Sequence, residues 1–129
     1  MKCHQCNSPS IIRLPNSEVS LCKKHFNVYF ERKVRKTLRI YNMINKRDIV
    51  ACAVSGGKDS LSLLFILNRI LKPTKVRLIA LAIDEGIKGY RDPHFTYVTK
   101  FCKKLKIPLK IYSFKKEFGK TLDELTTKD

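Results

Sequence analysis

From Phe26 to Ile44 the apolar residues Phe26, Phe30, Val34, Leu38, Tyr41 and Ile44 recur at steps of three and four, which predicts an amphipathic helix. Asn45 to Asp48 breaks that period, and Ile49 to Val54 follows as an uninterrupted apolar run of strand length. Leu61 to Leu71 is apolar at most positions and reads as a helix, and Pro73 marks a turn. Val76 to Ile83 (VRLIALAI) reads as a second, largely buried parallel strand. Pro93 suits the first turn of a further helix, His94 to Leu105, with Phe95, Val98, Phe101, Cys102 and Leu105 on one face. Pro108 to Phe114 reads as a third strand, and Gly119 opens a polar tail running to Asp129. Strand–helix–strand–helix–strand is half of a doubly wound parallel sheet, so the fold class is α/β. Strands in the order 3-2-1 would leave Ile49 to Val54 as an open apolar edge, which invites pairing. The sheet domain is therefore expected to be incomplete at its C-terminal side: a fragment, a half needing its complement, or a degraded product.

Between the first strand and its helix stands Ser55-Gly56-Gly57-Lys58-Asp59-Ser60. Glycines at this junction let backbone amides close in on a phosphate, and Lys58 adds a mobile cation. The helix start at Asp59-Ser60 offers unpaired N–H groups and the positive end of a dipole. The string is not a Walker A loop, because Asp59 follows Lys58 and no glycine stands at the required spacing before it. Nor does it hold the G-x-G-x-x-G dinucleotide fingerprint. The bland reading is a Gly-Gly turn with a solvated lysine. With all six residues in this context, a nucleotide-phosphate loop is the better account.

Charge adds a partner. Lys and Arg number 27 against 11 Asp and Glu, a formal net charge of +16 in 129 residues. Such an excess points to a polyanion, nucleic acid before an anionic membrane, although a lysine-rich background contributes. No apolar stretch reaches membrane-spanning length, and the start (MKCHQCN) has no signal-peptide core, which argues for a cytoplasmic protein and no membrane partner. In a reducing compartment paired cysteines are metal ligands sooner than disulfides.

Cys3, Cys6, Cys22 and His25 form a C-x2-C and a C-x2-H knuckle separated by fifteen residues. Two knuckles complete a tetrahedral Zn²⁺ site of three sulfurs and one nitrogen, closed and structural. The stretch between them (Ser8-Pro9, Pro15-Asn16-Ser17) is rich in turn formers and short of core residues, so it needs such a staple. A redox pair at Cys3/Cys6 is the alternative; His4 lies beside a ligand and could compete for the metal, but by spacing His25 is the better ligand. Cys52 and Cys102 have no spaced partners and read as buried apolar residues.

The helix after the knuckle carries Arg32, Lys33, Arg35, Lys36 and Arg39, with no acidic residue between Glu31 and Asp48. A ladder of this kind can track the phosphates of tRNA or other RNA, or can be a solvated helix face. Asp84, at the end of the second strand, could help hold Mg²⁺ or ribose or simply be solvated; His94 reads as a surface histidine. The domain boundaries implied are residues 1–25 for the finger, 26–46 for the basic linker helix, and 47–129 for the nucleotide-binding domain.

Taken in order, CxxC…CxxH, the basic helix, strand-SGGKDS-helix and a strand ending AIDEGI resemble the N-terminal half of the tRNA 2-thiouridine synthetases. That family is related to the tRNA 2-thiocytidine enzymes and, more distantly, to tRNA-Ile lysidine synthetase. All are PP-loop ATP pyrophosphatases with an adenine nucleotide alpha hydrolase-like fold. The resemblance implies zinc on Cys3, Cys6, Cys22 and His25. It implies ATP on Ala53, Val54, Ser55, Lys58, Asp59 and Ser60, with Gly56 and Gly57 forming the turn. The adenine would lie against the backbone of Ile83. The implied reaction, with ATP and Mg²⁺, adenylates the C2 oxygen of a tRNA uridine; sulfur from a sulfur-carrier protein then displaces AMP. Family members continue past a segment like Phe118 to Leu125 into a cysteine pair that, with a third cysteine, handles sulfur and in many members holds an iron–sulfur cluster. Those cysteines are absent from this chain, so no sulfur-handling catalytic residue can be named in it. A complementary C-terminal half or a homodimer partner is the corresponding expectation. The competing readings are a non-catalytic zinc- and RNA-binding module, a truncated inactive remnant, or a different PP-loop chemistry such as amidation.

Overall fold

The structure is a computed structural model that describes residues 1–87 and 91–126. It divides into two compact units, Met1–Met43 and Ile44–Asp129.

The first unit has almost no core. Two short antiparallel pairs, β1 (Lys2–Cys3) with β2 (Cys6–Pro9) and β3 (Ile12–Arg13) with β4 (Ser20–Leu21), precede a helix α1 (Lys23–Ile40). The buried centre is Cys3, Leu21 and Cys22, with Cys6, Ile12, Leu14, Val19, Phe26 and Tyr29 packed around it. Helix α1 has no buried residue. It stops at Ile40, before the Ile44 that periodicity predicts. Asn42 takes a left-handed conformation (φ 47°) and the Met43 N–H donates back to the Leu38 carbonyl at 3.0 Å, closing the last turn.

The second unit is the parallel sheet. Strand β5 (Ile49–Ala53) leads into α2 (Lys58–Leu71), β6 (Arg77–Asp84), α3 (Arg91–Leu105) and β7 (Leu109–Ser113). Two short helices follow, α4 (Phe114–Phe118), which takes Phe114 from the end of the expected third strand, and α5 (Leu122–Thr126), which lies in the polar tail; residues 127–129 lie outside the described residues. The sheet order is β5-β6-β7, parallel throughout, with Ala51 opposite Ile79 and Ala82 opposite Ile111. Strand β5 is thus an edge.

Successive crossovers that step in one direction and share a right hand put both helices on one face. That face is built for it: Cys52, Ala80 and Ala82 are buried, the two alanines admitting close helix approach, against Leu64, Val98 and Cys102. The opposite face is bare and apolar. Ile49 is 58% exposed and Ile83 57%, with Ala51, Ala53 and Tyr112 also exposed. Parallel sheets are ordinarily covered on both faces, so this half-sheet presents a surface that a completed doubly wound domain would bury. No helix among the described residues is long and apolar enough to cross a membrane.

Candidate nucleotide and metal sites

The metal cluster is fully assembled. Cys3 ends β1, Cys6 begins β2, Cys22 is the residue before α1, and His25 lies in the first turn of α1. A hydrogen bond from the His4 N–H to the Ser20 carbonyl at 2.9 Å draws the two knuckles together. His25 Nδ1 stands 3.3 Å from the sulfurs of Cys3 and Cys6 and 3.4 Å from that of Cys22, and Cys6 and Cys22 sulfurs are 3.7 Å apart. Sulfurs about 2.3 Å from one tetrahedral ion would lie about 3.8 Å apart, so the donor set fits a zinc-sized ion. All four donor atoms lie within 4.8 Å of one another, and His4 is not among them.

The cluster's electrostatics favour a cation. Burial pushes the Cys3 thiol up, but the amides of Cys22, Gln5 and Cys6 and the His25 imidazole outweigh it and bring it down to about 6. Hydroxyl and amide of Ser8 lower Cys6. The His25 amide pulls Cys22 down, yet burial and the neighbouring Cys6 and Cys3 sulfurs win and raise it. His25 is raised, chiefly by its bond to Cys3. Thiolates crowded at these distances repel, and a shared divalent ion relieves that repulsion.

The phosphate loop is organised by its two serines. The Ser60 hydroxyl accepts from the Ser55 N–H at 3.2 Å and donates to the Gly57 carbonyl at 3.1 Å. The Ser55 hydroxyl accepts from the Gly57 N–H at 3.4 Å. Helix α2 starts three residues earlier than its apolar run, at Lys58, because Gly57 serves as its N-cap and offers no side-chain cap to the first-turn amides. Those amides face the loop mouth, where an anion is favoured. The two glycines differ. Gly56 has φ +88°, and a Cβ there would lie 3.3 Å from both Cβ and Nδ1 of His94 and 3.4 Å from Val98 Cγ2. Gly57 has an ordinary backbone (φ −74°), and its Cβ would meet only Ser55 Oγ at 3.5 Å. Only Gly56 is demanded by the fold; Gly57 is open for a ligand to approach.

Beside the loop lies a cavity of about 120 Å³, lined by Val54 and Ser55 from the end of β5, Ile83 to Ile87 from the end of β6, and His94, Phe95 and Val98 from α3. Ligand pockets generally exceed about 300 Å³, so these walls enclose only part of a nucleotide. Two assignments change here. His94, which the sequence consigns to the surface, is half-buried, lines the cavity and packs on Gly56. Its place depends on how α3 lies against the loop, which no local pattern reveals. Asp84 is not a solvated loop acid: it is 5% exposed and its Oδ1 accepts the Gly86 N–H at 3.1 Å, forming the turn that ends β6. Ala53 is exposed on the bare face, Val54 is buried and its N–H donates to the Leu81 carbonyl at 2.8 Å, and Lys58 and Asp59 are exposed.

Cys52 and Cys102 are 4% and 2% exposed, and burial raises both thiols. Two buried thiols on separate elements do not fit an iron–sulfur cluster, which takes several accessible thiolates.

On α1, Arg32, Lys33, Arg35, Lys36 and Arg39 are all exposed. Arg35 is bound to Glu31 (2.7 and 3.0 Å), and the Lys33 ammonium sits 5.5 Å above the Tyr29 ring. Arg32, Lys36 and Arg39, at i, i+4 and i+7, share one stripe of the helix and make no ion pair among the described residues.

Known proteins resemble this arrangement along its whole length. The tRNA-5-methyluridine(54) 2-sulfurtransferase of Pyrococcus horikoshii is 34% identical over 128 residues, which is 99% of this chain and 40% of that protein. Cytoplasmic tRNA 2-thiolation protein 1 of Saccharomyces cerevisiae is 34% identical, covering 97% of this chain and 36% of its own length. The solved U34-tRNA thiolase NcsA of Methanococcus maripaludis, described with its [4Fe-4S] cluster, superposes with a TM-score of 0.88 at 40% identity, over 100% of this chain and 43% of that one. The chain thus spans about two fifths of the relatives it matches, corresponding to their N-terminal part. The family model for the PP-loop domain matches residues 27–128, and this chain belongs to the PP-loop family.

Proposed function

We infer that this chain supplies the metal finger and the ATP-binding half of an enzyme that 2-thiolates a tRNA uridine. The observation that carries the reading is the serine-braced loop Ser55 to Ser60, open at Gly57 and at the first turn of α2, in a chain matched from end to end by tRNA thiolases. In this reading the loop amides, Lys58, and the hydroxyls of Ser55 and Ser60 hold the phosphates of Mg·ATP, with Asp59 at the helix start and Ala53 and Val54 shaping the strand end beneath. The backbone at Ile83 takes the adenine. The uridine C2 oxygen attacks the α-phosphorus and pyrophosphate leaves; sulfur brought by a carrier protein then attacks C2, and AMP leaves with that oxygen. Cys52 and Cys102 are too buried to take part, so the sulfur-handling cysteines belong to a complementary polypeptide segment.

Zinc, when bound to Cys3, Cys6, Cys22 and His25, ties the two knuckles into one fold. The stripe Arg32, Lys36 and Arg39 lies along tRNA phosphates, with Lys33 and Arg35 beside it. The setting is cytoplasmic. Two observations favour a second reading, a zinc- and RNA-binding module without catalysis: the sheet is covered on one face only, and its cavity is small for ATP.

Calorimetric titration with Mg·ATP separates the two. The enzymatic reading expects binding that Lys58→Ala weakens by about tenfold or more, the size of a lost charge-assisted bond; no binding by the native chain sinks it. For the RNA stripe, Arg32, Lys36 and Arg39 changed together to Gln should lower the slope of log affinity for tRNA against log salt by about three. An unchanged slope removes the stripe from the interface.

A further inference from the structure

The rim of the cavity is held by the start of α5. At the start of α5, the Thr121 N–H donates to Glu124 Oε2 at 3.0 Å and the Glu124 N–H donates to Thr121 Oγ1 at 3.2 Å, a reciprocal capping box. The next amide, Leu122 N–H, donates to the Glu85 carbonyl at 3.0 Å. The Thr121 side chain lies so close to Gly86 (φ +74°) that a Cβ on that glycine would fall 2.6 Å from Thr121 Cγ2 and 2.8 Å from its Cβ. Asp84 grips the same glycine from the other side through its N–H. Glu85 and Gly86 are therefore fixed between a buried carboxylate and a capped helix start, and both line the cavity that Ser55 also lines.

We propose that Thr121 is a positioning residue for the nucleotide cavity: its cap clamps the Glu85–Gly86 rim, and nucleotide occupancy and the order of α5 are coupled through that clamp. The proposal rests on the reading of this cavity as part of an ATP site. The physical argument is linkage. The rim is a short loop beyond the last residue of β6, and its position is set by the Asp84 turn and the Thr121–Leu122 contact. A ligand that needs the rim in place stabilises α5, and by reciprocity a loosened α5 weakens the ligand.

Two substitutions isolate the clamp. Thr121→Val keeps the shape against Gly86 but removes the Oγ1 acceptor; Thr121→Ser keeps the acceptor and removes the methyl. Mg·ATP affinity is measured by calorimetry, and exchange of the Leu122 amide by hydrogen–deuterium NMR with and without Mg·ATP. Thr121→Val is expected to weaken ATP by about fivefold, the size of one lost helix cap, with Thr121→Ser retaining affinity. ATP is expected to slow Leu122 exchange in the native chain. The clamp is overturned if the native chain binds ATP but Thr121→Val binds it equally well, or if ATP leaves Leu122 exchange unchanged. Those results spare the ATP site, whereas absence of ATP binding by the native chain overturns the site and the clamp together.

Discussion

The finger and the phosphate loop are both made by short stretches of chain, yet they stand at different degrees of completion. In the finger, four donors drawn from residues 3 to 25 already converge to tetrahedral distances. In the sheet unit, the loop is braced by Ser55 and Ser60, but the cavity beside it is small, one sheet face is bare and β5 is an edge strand among the described residues. The difference teaches what each chemistry asks of a fold. A metal ion is coordinated by four atoms, and two turns can supply them. A nucleotide must be enclosed along its length, and the walls come from strand ends on both sides of the loop strand.

The largest expected effect concerns the finger. Its buried centre is Leu21 and two of the proposed ligands, Cys3 and Cys22, so chelation or Cys6→Ser should unfold residues 1–22 outright. Structural zinc contributes on the order of 10 kcal/mol in such sites, more than a core this small can replace. NMR spectra before and after chelation check this: finger resonances should collapse while those of Ile49 to Ser113 persist. Retention of a dispersed finger without metal would break the comparison.

A smaller effect distinguishes the two loop glycines. Gly56→Ala forces an L-residue to φ +88° and pushes on His94, a strain of about 1–2 kcal/mol, and should lower the melting temperature as well as ATP affinity. Gly57→Ala meets no such obstacle and should leave the melting temperature unchanged while weakening Mg·ATP. Equal behaviour of the two variants in thermal melts and titrations would show that the loop is not divided in this way.

The smallest effect is on the bare face. Ala51→Glu adds a charge to an exposed position and should shift stability by no more than about 0.5 kcal/mol in denaturant titration of this chain. A loss of several kcal/mol would mean that the face is covered in solution. Where a complementary segment packs there, the same substitution should abolish the association.

Much of this was legible in the residue pattern because it is local. The three strands lie within a residue or two of the apolar runs, and the C-x2-C and C-x2-H spacings name the cluster that the structure assembles. Helix ends were less so. Asn42 ends α1 through a left-handed backbone that apolar spacing does not register, whereas α2 starts at Lys58, one residue ahead of the start at Asp59-Ser60 that the loop motif indicates. Neither α4, ahead of Gly119, nor α5, in the polar tail, shows in the pattern, because each is five residues, too short for a period, and has no buried residue.

The sequence alone pointed to the three sheet strands, the three long helices, the donor set and the phosphate loop, since each depends on residues close together in the chain. Tertiary structure decided that His94 packs on Gly56, that Asp84 is buried at the turn it shapes, that Thr121 reaches Gly86, and that one sheet face is left open. The Asp84 turn reaches only two residues along the chain, and tertiary packing decides just its burial. The His94 and Thr121 contacts span 30 or more residues, and the open face is a consequence of how crossovers stack. They follow from the direction in which strands are added to the sheet, which no local period encodes.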